Sequence, residues 1–141
     1  MKKLLIFISL LFLVGCTNYN SVEELSEDTS NTLFCYKEYK DYEEYIEFSY
    51  KDNVVEYVNY SYVFNKNIKE YKELDKYSEY MKYRDNTIDI TFESIDVDLY
   101  KEIKNNVIDL YKIEEDNYSY IENNIIKYDL FRNYLKDYSC E

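Results

Sequence analysis

The near absence of glycine and proline constrains the fold of this chain more than any other feature. Its 141 residues contain one glycine, Gly15, and no proline. These two residue types normally supply the backbone angles of tight turns, so asparagine and aspartate must supply them here. Turns are therefore predicted where these residues cluster, at positions 52–53, 65–67, 85–86, 116–117 and 123–124.

The first 16 residues have the layout of a lipoprotein signal peptide. Lys2 and Lys3 precede an apolar run over residues 4–14, and Gly15 stands directly before Cys16. The run is shorter than the roughly 20 apolar residues that a transmembrane helix needs. Residues 13–16, LVGC, resemble the lipobox of bacterial lipoproteins. That resemblance implies cleavage before Cys16, fatty-acid lipidation of its thiol, and anchoring on the extracytoplasmic face of the cell membrane.

Three regions are predicted along the chain. Residues 1–15 form the lipoprotein signal peptide, and residues 16–31 form the lipidated N-terminus and a flexible tether. The tether is too polar to bury enough apolar surface to offset its chain entropy. Residues 32–141 form one extracytoplasmic domain, because about 110 residues suffice for a single modest core.

Composition excludes several classes of function. The chain has no histidine, so neither Ser–His nor Cys–His nucleophile activation is available. A single glycine excludes glycine-rich phosphate loops, and two cysteines without histidine cannot complete a usual zinc site. Without Lys2 and Lys3 the chain has 15 basic and 29 acidic residues, a formal net charge of −14, which repels nucleic acid. The sequence therefore predicts no enzyme, catalytic residue, cofactor or metal, and no nucleic-acid partner.

Once Cys16 is assigned to lipidation, Cys35 and Cys140 remain. An exported domain with an even number of cysteines predicts a disulfide between them. The alternative is a pair of unpaired thiols in an anaerobic organism.

Hydrophobic periodicity predicts an α+β fold, an antiparallel β-meander with packed helices. Residues 32–39, 44–50 and 54–64 are rich in aromatic and β-branched residues, largely alternate, and are separated by short polar turns. Ile88, Ile90 and Phe92 alternate with polar residues and predict a fourth strand over 87–93.

Helices are predicted in three places. Residues 67–70, NIKE, resemble a capping box, and the apolar spacing that follows predicts a helix over 67–83. Phe131, Tyr134, Leu135 and Tyr138 predict a terminal helix that leads straight into Cys140. Between these segments, residues 99–110 have helical spacing, but residues 107–113 are also compatible with a strand.

Two residue sets are candidate binding sites, each with a structural alternative. The chain has 20 tyrosines, and Tyr57, Tyr60 and Tyr62 are candidates to stack on sugar or peptide. The alternative explanations are the codon bias of a low-GC genome and ordinary core packing. The acidic residues at 89, 93, 96 and 98 are candidate Ca²⁺ ligands, or else a solvated strand face and a helix N-cap.

The lipobox, the linker, the early cysteine in LFCYKEY and the closing YLKDYSCE together resemble small lipoproteins of low-GC Gram-positive bacteria, related to the YehR-like lipoproteins. The function of that family is unknown, so the resemblance implies an α+β fold and no activity. We therefore expect a lipid-anchored, non-catalytic domain that binds a ligand or protein of the envelope. The alternatives are a structural envelope lipoprotein without a small ligand and, more remotely, a hydrolase that uses two carboxylates.

Overall fold

One six-stranded antiparallel sheet organises the computed structural model, which describes residues 31–141. The predicted signal peptide, Cys16 and the tether before Asn31 lie outside the described residues. The sheet has the strand order β4-β5-β3-β2-β1-β8, and β6 and β7 form a separate ribbon. The strands are β1 (Asn31–Glu38), β2 (Tyr42–Lys51), β3 (Val54–Phe64), β4 (Met81–Arg84), β5 (Thr87–Phe92), β6 (Ile121–Glu122), β7 (Ile125–Ile126) and β8 (Ser139–Cys140). The helices are a 3₁₀ helix (Lys72–Tyr77), α1 (Val97–Tyr111) and α2 (Tyr128–Tyr134).

The predicted class is confirmed at the level of a mainly antiparallel sheet with a few helices. β1, β2 and β3 form the meander within one or two residues of the expected bounds, and each pairs with the next. The predicted fourth strand is β5, which pairs with β3. Residues 99–110 belong to α1, so the helical alternative is the correct one for that segment.

Asparagine and aspartate make the tight hairpin turns, as predicted. Asp52 and Asn53 join β2 to β3 with φ of 50° and 63°, and Asn123 and Asn124 join β6 to β7 with φ of 53° and 59°. Two successive positive φ values in a two-residue loop are typical of the type I′ turn, whose twist matches that of the flanking strands. The chain thus builds these hairpins without glycine.

The helix predicted over residues 67–83 is wrong. Only a 3₁₀ helix forms there, and Tyr71, which precedes it, makes no side-chain capping bond. Leu74, Tyr77 and Met81 are all buried, as the apolar spacing requires. Met81, however, belongs to β4, which pairs with β5 across a two-residue turn. Backbone pairing with a neighbouring strand has overridden a helical pattern that only local sequence supported.

The terminal helix is shorter than predicted. α2 ends at Tyr134, and the chain then turns so that β8 pairs with β1. Phe34 and Glu141 exchange two backbone hydrogen bonds, of 3.0 and 2.8 Å. Cys35 and Cys140 are the adjacent pair in this register, and side chains come closest in such non-hydrogen-bonded pairs.

The structure places the sulfur atoms of Cys35 and Cys140 2.04 Å apart, at disulfide-bonding distance, as predicted. The bond joins residues that are 105 positions apart in the chain. On the chain-entropy model, closing a loop of that size stabilises the fold by about 4 to 5 kcal/mol. It fastens the short strand β8 to the edge of the meander.

The helices cover one face of the sheet, which we call the closed face. The opposite face is not covered by helices, and we call it the open face. Phe48 of β2 meets Phe131 of α2 with ring centroids 4.9 Å apart, and Phe92 of β5 meets Tyr100 of α1 at the same distance. In each strand, the side chains that alternate with these inward-facing residues lie on the open face. All 111 described residues form one compact unit.

Candidate functional site

The open face carries the two large apolar side chains that are most exposed in the described part of the chain. Phe34 on β1 is 57% exposed and Tyr45 on β2 is 43% exposed. Tyr36 lies directly across from Tyr45 in the β1–β2 register, and their ring centroids are 5.0 Å apart. Phe34 lies on the same face of β1 as Tyr36, two residues before it, and we call these three side chains the aromatic patch. Exposed apolar patches mark interaction sites more often than chance.

A groove of about 390 Å³ runs beside this patch, and we call it the open-face groove. Its polar side is ordered by hydrogen bonds between neighbouring strands. Thr91 donates to the Asn59 side chain at 2.7 Å, and Ser61 donates to Asp89. Its walls include Phe34, Tyr36, Tyr45, Glu47, Asn59 and Ser61.

Carboxylates surround the aromatic patch. The Tyr45 hydroxyl donates to Glu43 at 2.9 Å, and this hydrogen bond is the main cause of a raised Tyr45 pKa. For Tyr36, desolvation and the nearby charges of Glu43 and Glu38 raise the pKa. Both phenols therefore remain neutral at physiological pH, and the potential around them is negative.

The closed face holds a second set of tyrosines, fully buried. Tyr60 and Tyr62 are 0% and 1% exposed, so they form core, and the expectation that they stack on a ligand is wrong. Tyr57, the third candidate, is partly exposed on the opposite side of the same strand. Tyr57 precedes Tyr60 by three residues, an odd number, so the alternation of the strand places it on the other face from Tyr60 and Tyr62.

A hydrogen-bonded network joins the buried tyrosines to an ion pair. The hydroxyl of Tyr100 bonds to that of Tyr60 and, at 2.7 Å, to that of Tyr120. Tyr120 donates to Asp116 at 2.6 Å, and Lys104 donates to the same carboxylate oxygen at 2.6 Å. The Lys104 and Asp116 side chains are 3% and 2% exposed. Burial places the pKa values of the three phenols well above their usual range, so the network holds neutral hydroxyls.

Lys104 is also held by aromatic rings. Its ammonium nitrogen lies 4.2 Å from the centroid of the Tyr60 ring and 5.4 Å from that of Tyr100. A cation over a desolvated ring is stabilised by the ring quadrupole. Breaking such a pair from one side leaves an uncompensated charge in the core.

Glu44 is a third buried charged side chain, at the end of the closed face where β1, β2 and α2 meet. It is 6% exposed. Tyr138 donates to its Oε2 at 2.5 Å, and Tyr39 donates to the same atom at 3.4 Å. Burial raises the Glu44 pKa, and the positive charge of Lys104 partly opposes that rise. A second cavity, of about 210 Å³, opens beside this carboxyl group.

The candidate calcium ligands at 89, 93, 96 and 98 do not form a site. Asp96 is the N-cap of α1 and accepts hydrogen bonds from the backbone of Asp98 and Leu99. Asp89 is paired with Arg84 at 2.8 Å. Within residues 31–141, no group of three or more cysteine, aspartate or glutamate side chains is arranged to hold a metal ion. None of the helices in that range is long and apolar enough to cross a membrane.

Sequence reasoning missed the aromatic patch and the buried charges, although signals for the charges were present. Glu44 occupies an inward position in the alternation of Tyr42, Ile46 and Phe48. Lys104 likewise lies on the buried stripe of α1. A charged residue at an inward position of a hydrophobic periodic pattern therefore indicates a buried charge.

No protein-family model, curated protein or solved structure matches this chain. The resemblance to the YehR-like lipoproteins therefore stays a prediction.

Proposed function

We propose that this protein is a lipid-anchored, extracytoplasmic and non-catalytic binding domain, and that its open-face groove binds a basic segment of an envelope protein. The exposed patch of Phe34, Tyr36 and Tyr45 is the observation that carries this proposal. A domain that buries other aromatic residues completely has left these three rings on the surface.

The charge around the patch selects the class of partner. Glu43 and Glu47 lie on the same face of β2 as Tyr45, and Glu38 lies beside Tyr36. Arginine is suited to such a surface, because its guanidinium stacks on aromatic rings and bonds carboxylates with two nitrogens. An acidic partner or a nucleic acid would be repelled by these carboxylates and by the net charge of −14 that the chain has without Lys2 and Lys3.

Charge disfavours the chain's own N-terminal segment as the occupant of the open face. Residues 17–30 contain four acidic residues, Glu23, Glu24, Glu27 and Asp28, and no basic residue. Like charges would repel this segment from the carboxylates around the patch. A partner of opposite charge is therefore the better occupant.

The anchor is part of the same proposal. Lipidation of Cys16 would hold the domain at the membrane surface, and two or more acyl chains give stable attachment. Replacing Cys16 by serine should abolish fatty-acid labelling and leave an unprocessed precursor. Labelling that persists in the serine variant would refute the anchor.

The groove is tested with the protein purified in detergent from the membranes of expressing cells. Binding is measured by fluorescence anisotropy with a twelve-residue peptide that contains four arginines. A second peptide, with glutamate in place of arginine, and a tetramer of N-acetylglucosamine serve as comparison ligands. We expect the arginine peptide alone to bind, and the double variant F34A/Y45A to weaken it by about tenfold or more.

The matched control is Y50A, which removes a tyrosine on the closed side that stacks on Tyr128. It should leave peptide binding unchanged. If the sugar binds and the peptide does not, the groove recognises carbohydrate and the proposed basic partner is wrong. If F34A/Y45A changes no interaction at all, the structural envelope lipoprotein is the correct alternative.

A further inference from the structure

The cavity beside Glu44 is separate from the open-face groove and has no role in the function proposed above. It lies on the closed side of the sheet and encloses about 210 Å³. Polar and charged groups line most of it, and the tyrosines Tyr39, Tyr62, Tyr134 and Tyr138 form its aromatic walls. We call it the tyrosine pocket.

The lining of the tyrosine pocket has an excess of negative charge. Five carboxylates line it, against the two ammonium groups of Lys37 and Lys104. Lys104 is committed to Asp116. Lys37 lies against the outer rings, with its nitrogen 4.9 Å from the Tyr39 centroid and 5.2 Å from the Tyr138 centroid.

Glu44 is a buried carboxylate of the pocket and lacks a salt-bridge partner. Among residues 31–141, no lysine or arginine nitrogen lies within salt-bridge distance of it. Its hydrogen bonds come from hydroxyl groups, those of Tyr138, Tyr39 and Tyr62. A buried carboxylate without a paired cation is costly. A cation that enters the pocket would remove that cost.

The aromatic walls indicate the kind of cation. Lys104, which lines the pocket, shows how this core accommodates an ammonium group: its nitrogen lies 4.2 Å from the centroid of the neighbouring Tyr60 ring and donates to a buried carboxylate. A ligand with an ammonium group could pair in the same way with the Glu44 carboxylate, which lies beside Tyr62 and Tyr138. The cavity volume fits a short aliphatic chain and excludes a macromolecule.

We propose that the tyrosine pocket binds a small organic cation, a primary ammonium on a short aliphatic chain, with the ammonium against Glu44 and the chain against the tyrosine rings. Anionic ligands are repelled by the excess of carboxylates. A bare metal ion is disfavoured, because the described side chains do not assemble a group of three metal-binding residues.

The test is isothermal titration calorimetry of the purified protein at pH 7.5 and low salt. 1,4-Diaminobutane and butylamine are the probes, and 1,4-butanediol and succinate are neutral and anionic compounds of matched length. We expect the amines to bind and the diol and the dicarboxylate not to bind. E44Q should weaken amine binding by at least about tenfold.

The matched control is E47Q, three residues along the same strand, whose side chain lies on the open face. It should bind the amines as the unchanged protein does. The melting temperature of E44Q, measured without ligand, shows that the variant is folded, since removal of a buried charge should not lower it. F34A/Y45A should also leave amine binding unchanged, which keeps this test independent of the open-face groove.

Three results would overturn the proposal. The first is equal binding of diamine and diol, and the second is undiminished amine binding by folded E44Q. The third is no heat from either amine up to about 10 mM, where binding with a Kd of about 1 mM is detectable.

Discussion

The two faces of the sheet use the same residue type for opposite purposes. On the closed face, Tyr60, Tyr100 and Tyr120 are fully buried and bond to one another through their hydroxyls. On the open face, Tyr36 and Tyr45 contact each other at the surface, next to carboxylates. A tyrosine has an apolar ring and a polar hydroxyl, so it fits a core where the hydroxyl has a partner and fits a surface where the ring can bind. The position of the helices, not the residue type, decides the role.

Substitution of one tyrosine on each face should give the largest contrast. Tyr60→Ala should lower the free energy of unfolding by about 3 to 5 kcal/mol, because it leaves a cavity and deprives Tyr100 and Lys104 of a partner. Tyr45→Ala should change it by no more than about 0.5 kcal/mol. Urea unfolding of the two variants measures both values. Equal losses would mean that the faces do not differ as described.

The ion pairs provide a second contrast. Asp116→Ala should destabilise the protein by about 3 kcal/mol, because Lys104 would be left buried without a counter-charge. Arg84→Ala removes the exposed partner of Asp89, and since the Arg84 side chain is 71% exposed the expected loss is at most about 1 kcal/mol. Chemical denaturation of both variants in parallel checks the difference. A loss for Arg84→Ala as large as that for Asp116→Ala would contradict the assignment of the buried pair to the core.

Glu44 should make the stability of the closed face depend on pH. Its pKa is raised in the folded protein, so its contribution is most favourable below the unfolded-state pKa and is lost as the pH rises through the folded-state pKa. Glu44→Gln should therefore be about as stable as the unchanged protein at pH 4 and more stable than it at pH 8. Thermal unfolding at the two pH values checks this. A variant that is less stable at pH 8 would show that the ionised carboxylate is favourable there.

The smallest effect is expected at the turn between β6 and β7, which lies outside the six-stranded sheet. Asn124 has a φ of 59°, so Asn124→Ala should cost about 1 kcal/mol through its left-handed backbone. Asn124→Gly should stay within about 0.5 kcal/mol of the unchanged protein. Calorimetric melting of both variants measures the difference. If alanine is tolerated as well as glycine, the backbone angle does not control this hairpin.

Local patterns predicted those parts of the fold that local interactions determine. Ile88, Ile90 and Phe92 identify β5 by alternation, and the asparagine and aspartate pairs identify the hairpins. The segment over 67–83 was mispredicted because the decisive interaction, the pairing of Met81–Arg84 with β5, is not encoded by the spacing of apolar residues within that segment. Propensity is overridden where a strand supplies hydrogen bonds.

The candidate sites were harder to predict because each depends on which face the helices cover. Alternation placed Tyr60 and Tyr62 together on one face of β3, but it does not indicate whether that face is core or surface. The pairing of Lys104 with Asp116 also depends on a turn after α1 that brings distant residues together. With 29 acidic residues in the chain, an individual carboxylate gives no signal except where it interrupts an apolar pattern, as Glu44 does.

The division of tyrosines between the two faces is tested most directly by nitration of the native protein, followed by mass spectrometry of its peptides. Tyr36 and Tyr45 should be nitrated first, because their rings are accessible to the reagent on the open face. Tyr60, Tyr62, Tyr100 and Tyr120 should react only after the protein is unfolded, since each is at most 1% exposed. Nitration of these four tyrosines in the native protein at the rate of Tyr45 would contradict the account.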